Sequence, residues 1–109
     1  MKKLRPRVRA LKLAAKVRDR ISNAVGRPVK VIMYGSQARG DATKESDIDL
    51  LVILPSINTN TRKVISDIAW EVGFEAGKVI STVPTTTDEM RYYAILPFYK
   101  NVKREGIAV

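Results

Sequence analysis

The chain contains neither cysteine nor histidine. The absence of cysteine excludes disulfide bonds and thiolate metal sites. The absence of histidine excludes imidazole general bases, Ser-His nucleophile pairs and histidine-ligated zinc. Any metal ion held by these side chains must therefore bind to oxygen ligands, which favours magnesium, manganese or calcium.

Long apolar runs are also missing. No segment approaches the roughly 18 apolar residues that a membrane-spanning helix needs. The N-terminus lacks the apolar segment of about 7–15 residues that a secretory signal contains. We therefore expect a cytoplasmic protein with no membrane contact. With 109 residues, of which 45% are hydrophobic and 28% charged, we expect one domain, residues 1–109, with one modest core.

Acidic residues are scarce near the N-terminus. The first twenty positions hold nine basic residues and one acidic residue, Asp19, and the formal net charge of the chain is +9. This excess favours a polyanionic partner, such as nucleic acid, nucleotide phosphates or an acidic protein surface. A solvated helix face explains it equally well. The basic residues are Lys2, Lys3, Arg5, Arg7, Arg9, Lys12, Lys16, Arg18 and Arg20.

The spacing of apolar residues predicts alternating helices and strands. Helices are predicted at 7–24 and 61–75, and strands at 29–33, 47–54 and 79–83. This order predicts an α/β (α+β) fold, in which helices pack on a small mixed sheet of three to four strands.

The remaining segments carry local signals. The polar, glycine-containing stretch 34–46 predicts a loop or one tight helical turn. Thr86-x-x-Glu89 has the form of a capping box before a third helix. Pro97 is expected to begin a further helix, and residues 107–109 are either a tail or a short edge strand.

The stretch YGSQARGDATKESDIDLLVIL, residues 34–54, carries the chemistry. Gly35 and Gly40 have the spacing of a P-loop, but Asp41 and Ala42 stand where that loop needs lysine and a hydroxyl. A carboxylate there would repel phosphate, so the stretch is not a P-loop. The Arg-Gly-Asp tripeptide at 39–41 matters only on an exposed extracellular loop, and we interpret it as a coincidence.

Asp47 and Asp49 alternate with apolar residues, so they share one face of the predicted strand. Two carboxylates about 6–7 Å apart on an apolar strand repel each other unless a cation lies between them. A pair of magnesium ions about 3.5–4 Å apart suits this arrangement and serves an in-line phosphoryl displacement. The alternative is a strand that begins with two solvated carboxylates.

Three residues upstream are candidates for phosphate binding. Gly35 follows a strand and lets the backbone approach a phosphate closely. Ser36 offers a hydroxyl, and Arg39 offers a guanidinium fork. Two simpler interpretations remain open, with Ser36 as a helix N-cap and Arg39, like Lys44, as plain surface charge.

These residues resemble a known signature. Gly35-Ser36, ten residues and Asp47-x-Asp49 look like the motif of the DNA-polymerase-β-like nucleotidyltransferases. The segment GSQARGDATKESDIDLLV resembles the corresponding segment of the smallest family members, the minimal nucleotidyltransferase (MNT) proteins. The ending PFYKNVKREGIAV also resembles theirs, so the resemblance covers most of the chain.

The resemblance implies a function and a site. Gly35 and Ser36 would hold the triphosphate of a nucleotide, and Asp47 and Asp49 would bind Mg²⁺ or Mn²⁺. Such proteins transfer a nucleoside monophosphate, often AMP from ATP, and release pyrophosphate. Minimal members are often paired with a small helical protein called HEPN in toxin–antitoxin systems, where the MNT protein is the antitoxin.

The sequence departs from the family at a third carboxylate. Active members usually carry one on a neighbouring strand, as a metal ligand and general base. The corresponding stretch, KVISTV at 78–83, has no acidic residue, and we expect Ser81 at the aligned position. Serine is a poor base at neutral pH without an activating partner. Glu75, Asp88 and Glu89 flank the strand on or near helix ends, as alternative sources of a carboxylate.

Three hypotheses follow from the sequence. The first is an enzyme that transfers AMP or another nucleoside monophosphate to a partner protein. The second is a binding module that keeps the fold and has lost turnover, which the missing carboxylate favours. The third is a nucleic-acid-binding protein that uses the basic N-terminal helix. Because no second domain is expected, the acceptor must come from a partner or from a homo-oligomer.

Overall fold

The structure is a computed structural model that describes residues 6–43 and 45–109. Helices and strands alternate through these residues, with boundaries near those that the apolar spacing predicts. In chain order they are α1 (Val8–Val25), β1 (Lys30–Tyr34), α2 (Ser36–Arg39), β2 (Ile48–Leu54), α3 (Thr59–Ala76), β3 (Ile80–Thr86), α4 (Thr87–Tyr92), α5 (Pro97–Glu105) and β4 (Ile107–Ala108).

The strands form one mixed four-stranded sheet in the order β3-β2-β1-β4. Strand β1 runs antiparallel to β2 and β4, whereas β2 and β3 are parallel. This confirms the predicted fold class. The C-terminal segment is an edge strand, because Ile107 pairs with Met33. No helix in the described ranges is both long and apolar enough to cross a membrane.

The main core lies between one face of the sheet and helices α1 and α3. Strands β1 and β2 alternate, so one set of their side chains points to these helices. The helices contribute apolar residues at three- and four-residue steps. Buried members of this cluster include Ala14, Val17, Ile21, Val31, Met33, Leu50, Val52, Ile65 and Val72.

Helix α5 packs on the opposite face of the sheet. The Phe98 ring meets the Tyr34 ring edge to face, with 5.3 Å between centroids. The hydroxyls of Tyr99 and Thr85 are 3.0 Å apart. Since Tyr34 lies directly opposite Asp49 across β1 and β2, the face of the sheet that carries Asp49 is the face that α5 covers.

Strand β3 extends to Thr86, three residues beyond the predicted end at Val83. The parallel register with β2 continues through Leu54, which pairs with Thr86. Pro84 is tolerated inside β3 because this strand lies at the edge of the sheet, where a missing N–H is harmless. Thr86 is the N-cap of α4 and accepts a 3.0 Å hydrogen bond from the Glu89 N–H, as the capping pattern predicts.

Gly73 brings α3 close to the end of the loop before β3. A Cβ atom at this position would overlap the backbone carbonyl oxygen of Lys78. In an exposed helix, replacing glycine with alanine stabilises by up to about 1 kcal/mol. At Gly73 we expect the cost of overpacking to exceed that gain, because extra atoms inserted into a packed core cost about 1–3 kcal/mol.

We therefore predict that Gly73→Ala lowers the free energy of unfolding, as measured by urea denaturation. The matched control is Ser66→Ala on the exposed side of the same helix, which should leave stability unchanged or raise it by a few tenths of a kcal/mol. A more stable Gly73→Ala protein would contradict the close approach of α3 to the segment before β3.

Candidate active site

Several strand ends meet at one edge of the sheet. The end of β1 lies beside the beginning of β2 because the two are antiparallel, and the beginning of β3 lies there because β3 is parallel to β2. Asp49 therefore faces Tyr34 on one side and Ser81 on the other. Asp47 lies just before β2, which begins one residue later than predicted.

Gly35 is confined by the Asp49 side chain. A Cβ atom at Gly35 would overlap the Oδ2 atom of Asp49. The backbone of Gly35 also has φ 77° and ψ −161°, a region that is essentially restricted to glycine. Close approach and backbone conformation thus both require glycine here, and the approaching group is a carboxylate of the protein itself.

Ser36 is the first residue of the one-turn helix α2, and Gly35 is its N-cap. The N-cap interpretation of Ser36 is therefore wrong, because the chain turns into the helix one residue earlier. The tight helical turn expected within 34–46 is confirmed. Buried Gln37 holds the following loop, since its side-chain amide donates a 3.1 Å hydrogen bond to the Ser46 carbonyl.

Arg39 lies between two carboxylates. Its Nε donates to Asp41 at 3.2 Å, and its Nη1 donates to Glu105 at 3.2 Å. The side chain is 45% exposed, so these ion pairs contribute little stability by themselves. They do hold the guanidinium beside Gly35, where the sequence predicts phosphate binding.

Glu105 is a site residue that sequence reasoning missed. It is the last residue of α5, and its Oε1 atom accepts a 3.1 Å hydrogen bond from the Gly35 N–H. The side chain is only 15% exposed. In the sequence, Glu105 follows Gly35 by 70 residues. The pairing of β4 with β1 brings the two residues together in the fold.

The electrostatics of the site are dominated by negative charge around Asp49. Burial raises the pKa of Asp49 above its ordinary value of 3.8, and the charges of Asp47 and Glu105 raise it further, while Arg39 opposes them. Burial and the Asp49 charge also raise the pKa of Tyr34. The ionised carboxylate of Asp49 therefore lacks sufficient compensating positive charge in the protein.

The donor set suits a hard divalent cation. Asp47 and Asp49 are two residues apart, so their Cα atoms are about 6–7 Å apart, a separation from which two aspartate side chains can reach a common ion. Mg²⁺ is commonly held by one or two carboxylates together with substrate phosphates rather than by a cage of protein ligands. Within the described ranges, no group of three or more acidic side chains is arranged to hold a metal ion. The pair thus fits Mg²⁺ or Mn²⁺ that arrives with a nucleotide.

The alternative carboxylates lie away from this pair. The Glu89 carboxylate accepts a 3.3 Å hydrogen bond from the Thr85 hydroxyl. Thr85 pairs with Ile53, four residues along β2 from Asp49, which is about 13 Å. Asp88 is exposed in the first turn of α4. Neither residue fills the position beside Asp49, which Ser81 occupies.

The described part of the basic N-terminal helix makes bonds within the chain. Arg7 donates to the carbonyl of Ala42 at 3.0 Å, and Arg9 donates to the carbonyl of Ala76 at 2.7 Å. These arginines therefore tie α1 to the loop after α2 and to the end of α3. The expectations for Lys2, Lys3, Arg5 and Lys44 lie outside the described residues.

The raised pKa of Asp49 predicts a conflict between stability and binding. An ionised Asp49 is unfavourable in the folded protein, so Asp49→Asn should raise the melting temperature at neutral pH in the presence of a chelator. The gain should shrink as the pH falls through the raised pKa, and vanish below 3.8, where the carboxyl is neutral in both folded and unfolded chains.

Glu71→Gln is the charge-matched control for this melting experiment, because Glu71 is exposed on α3. It should leave the melting temperature nearly unchanged. An Asp49→Asn protein that melts lower than the wild type at neutral pH without metal would show that Asp49 is compensated in the free protein.

Solved structures confirm the fold. A crystal structure described as "a putative nucleotidyltransferase from Sulfolobus solfataricus" superposes with a TM-score of 0.62 at 20% sequence identity. The similarity covers 93% of this chain and 79% of that chain. At this level of identity it bears on the fold alone.

Two proteins of Methanocaldococcus jannaschii are similar in sequence. "Putative protein adenylyltransferase MJ0604" is 32% identical over 81 residues, covering 74% of this chain and 77% of that protein. "Putative protein adenylyltransferase MJ1305" is 36% identical over 72 residues, covering 63% of this chain and 49% of that protein, so the match spans about half of its length. The sequence profile of the nucleotidyltransferase domain matches residues 14–107, and the chain belongs to this family.

Proposed function

We propose that this protein binds a magnesium–nucleoside triphosphate, ATP, and transfers AMP to a hydroxyl group of a partner protein. The observation that carries the proposal is the packing of Asp49 against Gly35, with Asp47 two residues away and Arg39 beside them. Two carboxylates therefore lie next to groups that already hold an anion, which supports the proposal.

Each group has a task in binding. Asp47 and Asp49 are the residues that would hold Mg²⁺, which when bound neutralises charge on the phosphates and on the leaving pyrophosphate. The Gly35 N–H and the Arg39 guanidinium donate hydrogen bonds to an anion, which in the free protein is the Glu105 carboxylate. Charge-assisted hydrogen bonds of this kind are about twice as strong as neutral ones.

Transfer requires a proton acceptor as well. The acceptor hydroxyl forms a bond to the α-phosphorus, the bond to the β-phosphate oxygen breaks, and the hydroxyl proton must leave. A positioned base typically accelerates such a step about 10²–10⁴-fold. Ser81 lies opposite Asp49 but is not a base at neutral pH. We therefore propose that the protein alone transfers AMP slowly.

A protein acceptor is supported by the names of the two archaeal relatives, which describe protein adenylyltransferases. On the α3 side of the sheet, next to edge strand β3, a cleft of about 720 Å³ is lined by the exposed rings of Trp70 and Phe74. A partner chain could enter there. From the resemblance to MNT proteins, we propose that the partner is a small helical HEPN protein and that this chain is its antitoxin.

The competing proposal is a binding module without turnover. It keeps nucleotide binding and is supported by the same serine at the third position. The two proposals differ in one measurable respect, which is label transfer to a protein acceptor. Nucleic-acid binding has less support, because Arg7 and Arg9 bond to carbonyl groups of the chain itself.

Nucleotide binding is tested by calorimetry. ATP should bind in the presence of Mg²⁺ and should lose most of its affinity with a chelator or in the double variant Asp47→Asn/Asp49→Asn. Glu71→Gln again serves as the charge-matched control and should bind as the wild type does. Equal affinity with and without chelator would remove the metal-site hypothesis.

Turnover is tested by replacing the serine. Wild-type protein should give little transfer of label from α-labelled ATP, whereas Ser81→Asp should transfer more, because a carboxylate then lies opposite Asp49. Brisk transfer by the wild type that is lost in Glu89→Gln would show that Glu89 acts as the third carboxylate despite its distance along the sheet.

A further inference from the structure

The Glu105 carboxylate lies where an anionic ligand of the Gly35 turn would lie. It accepts hydrogen bonds from the Gly35 N–H at 3.1 Å and from Arg39 at 3.2 and 3.3 Å. Those two donors are the groups that we assign to the phosphates. Carboxylate and phosphate oxygens seek the same donors, so both cannot use them at once.

The backbone holds Glu105 in this place. The N–H of Gly106 donates a 2.7 Å hydrogen bond to the Val102 carbonyl, which ties the end of α5 together. A Cβ atom at Gly106 would overlap Ile32 Cγ2 as well as that carbonyl. Strand β4 then pairs with β1 directly afterwards. The close packing and the strand pairing keep the Glu105 backbone beside the site, so that only its side chain is left to move.

The location of Glu105 also brings a charge into the site that opposes phosphate. Its side chain is largely buried, at 15% exposure, and its charge reaches Asp49, whose pKa it helps to raise. A triphosphate would meet three carboxylates at close range, those of Asp47, Asp49 and Glu105. Magnesium would offset the first two, whereas the Glu105 carboxylate is held by the Gly35 N–H and the Arg39 guanidinium.

We propose that Glu105 is an intramolecular competitor for the phosphates of the nucleotide, and that binding requires its side chain to rotate away from Gly35 and Arg39. This inference rests on the proposed function, since it assumes that a triphosphate binds at this site. No change of fold is needed, because the glutamate side chain has three rotatable bonds.

The size of the effect follows from the contacts that are lost. Hydrogen bonds to charged groups are stronger than those between neutral groups, and partial exposure at Arg39 reduces their contribution. We therefore expect release of Glu105 to tighten phosphate binding about tenfold. The gain should depend on the phosphates and not on the base, so inorganic tripolyphosphate should gain as much as ATP.

Calorimetry of the full chain with magnesium tripolyphosphate and with magnesium ATP is the test. Glu105→Gln keeps the size of the side chain and removes its charge, and should bind both ligands about tenfold more tightly than the wild type. Glu105→Asp keeps the charge but shortens the side chain by one methylene, which withdraws the carboxylate from Gly35. It should also bind more tightly, which a general effect of net charge does not explain.

Glu71→Gln is the control for net charge, since it removes one exposed acidic group from α3, and it should match the wild type. Melting curves establish that each variant is folded, and the amide signal of Gly35 in NMR spectra reports the lost bond directly. That signal should shift in Glu105→Gln without ligand and shift again with tripolyphosphate.

Two results would overturn the inference. If the wild type binds magnesium ATP but Glu105→Gln and Glu105→Asp bind equally or more weakly, Glu105 positions Gly35 and Arg39 for the nucleotide rather than competing with it. In that case the proposed function stands. If neither the wild type nor any variant binds either ligand, the proposed function fails and the inference fails with it.

Discussion

The close approach of the Asp49 carboxylate to Gly35, into the space that a Cβ atom would take, is the constraint on which the site depends. It requires the end of β1 and the beginning of β2 to lie side by side, and it requires a residue without a side chain at the turn. The glycine then begins α2 in a backbone conformation that other residues avoid. The strand that carries Asp49 and the turn that begins α2 are thereby fixed relative to each other.

This arrangement concentrates negative charge in a basic protein. The chain carries a formal charge of +9, yet at the edge of the sheet burial raises the pKa of Asp49, and the negative charges of Asp47 and Glu105 raise it further. The single guanidinium of Arg39 offsets part of this charge. We propose that a divalent cation relieves this repulsion when it binds, and that the charge cluster lowers the stability of the protein without a cation.

Part of this architecture was predictable from local sequence. The amphipathic helices, the alternating apolar pattern of β2 and the glycine-serine turn are short-range signals. The register of β3 with β2, which places Ser81 opposite Asp49, is known only from the structure. The observed end of β3 differs from the predicted end because strand pairing outweighs local propensity there. The strand continues past Pro84 to Thr86, which is possible because β3 is an edge strand.

Other features depend on contacts between distant residues, and sequence spacing does not encode them. Glu105 resembles any acidic residue at the end of a basic helix, and it reaches Gly35 only because β4 pairs with β1. In the same way, the sequence left Arg7 and Arg9 either to a polyanionic partner or to solvent, and the structure adds the carbonyl groups of the chain to which they donate hydrogen bonds. Local patterns therefore identified the charged residues but not the groups that they contact.

The central claim is that a magnesium–nucleotide occupies the turn at Gly35. A crystal structure of the protein grown with Mg²⁺ and a non-hydrolysable ATP analogue tests it most directly. The account predicts a metal ion bound to both Asp47 and Asp49, and a phosphate oxygen on the Gly35 N–H in the place of the Glu105 carboxylate. A nucleotide bound elsewhere, with Glu105 still on Gly35 and no metal between the aspartates, would contradict it.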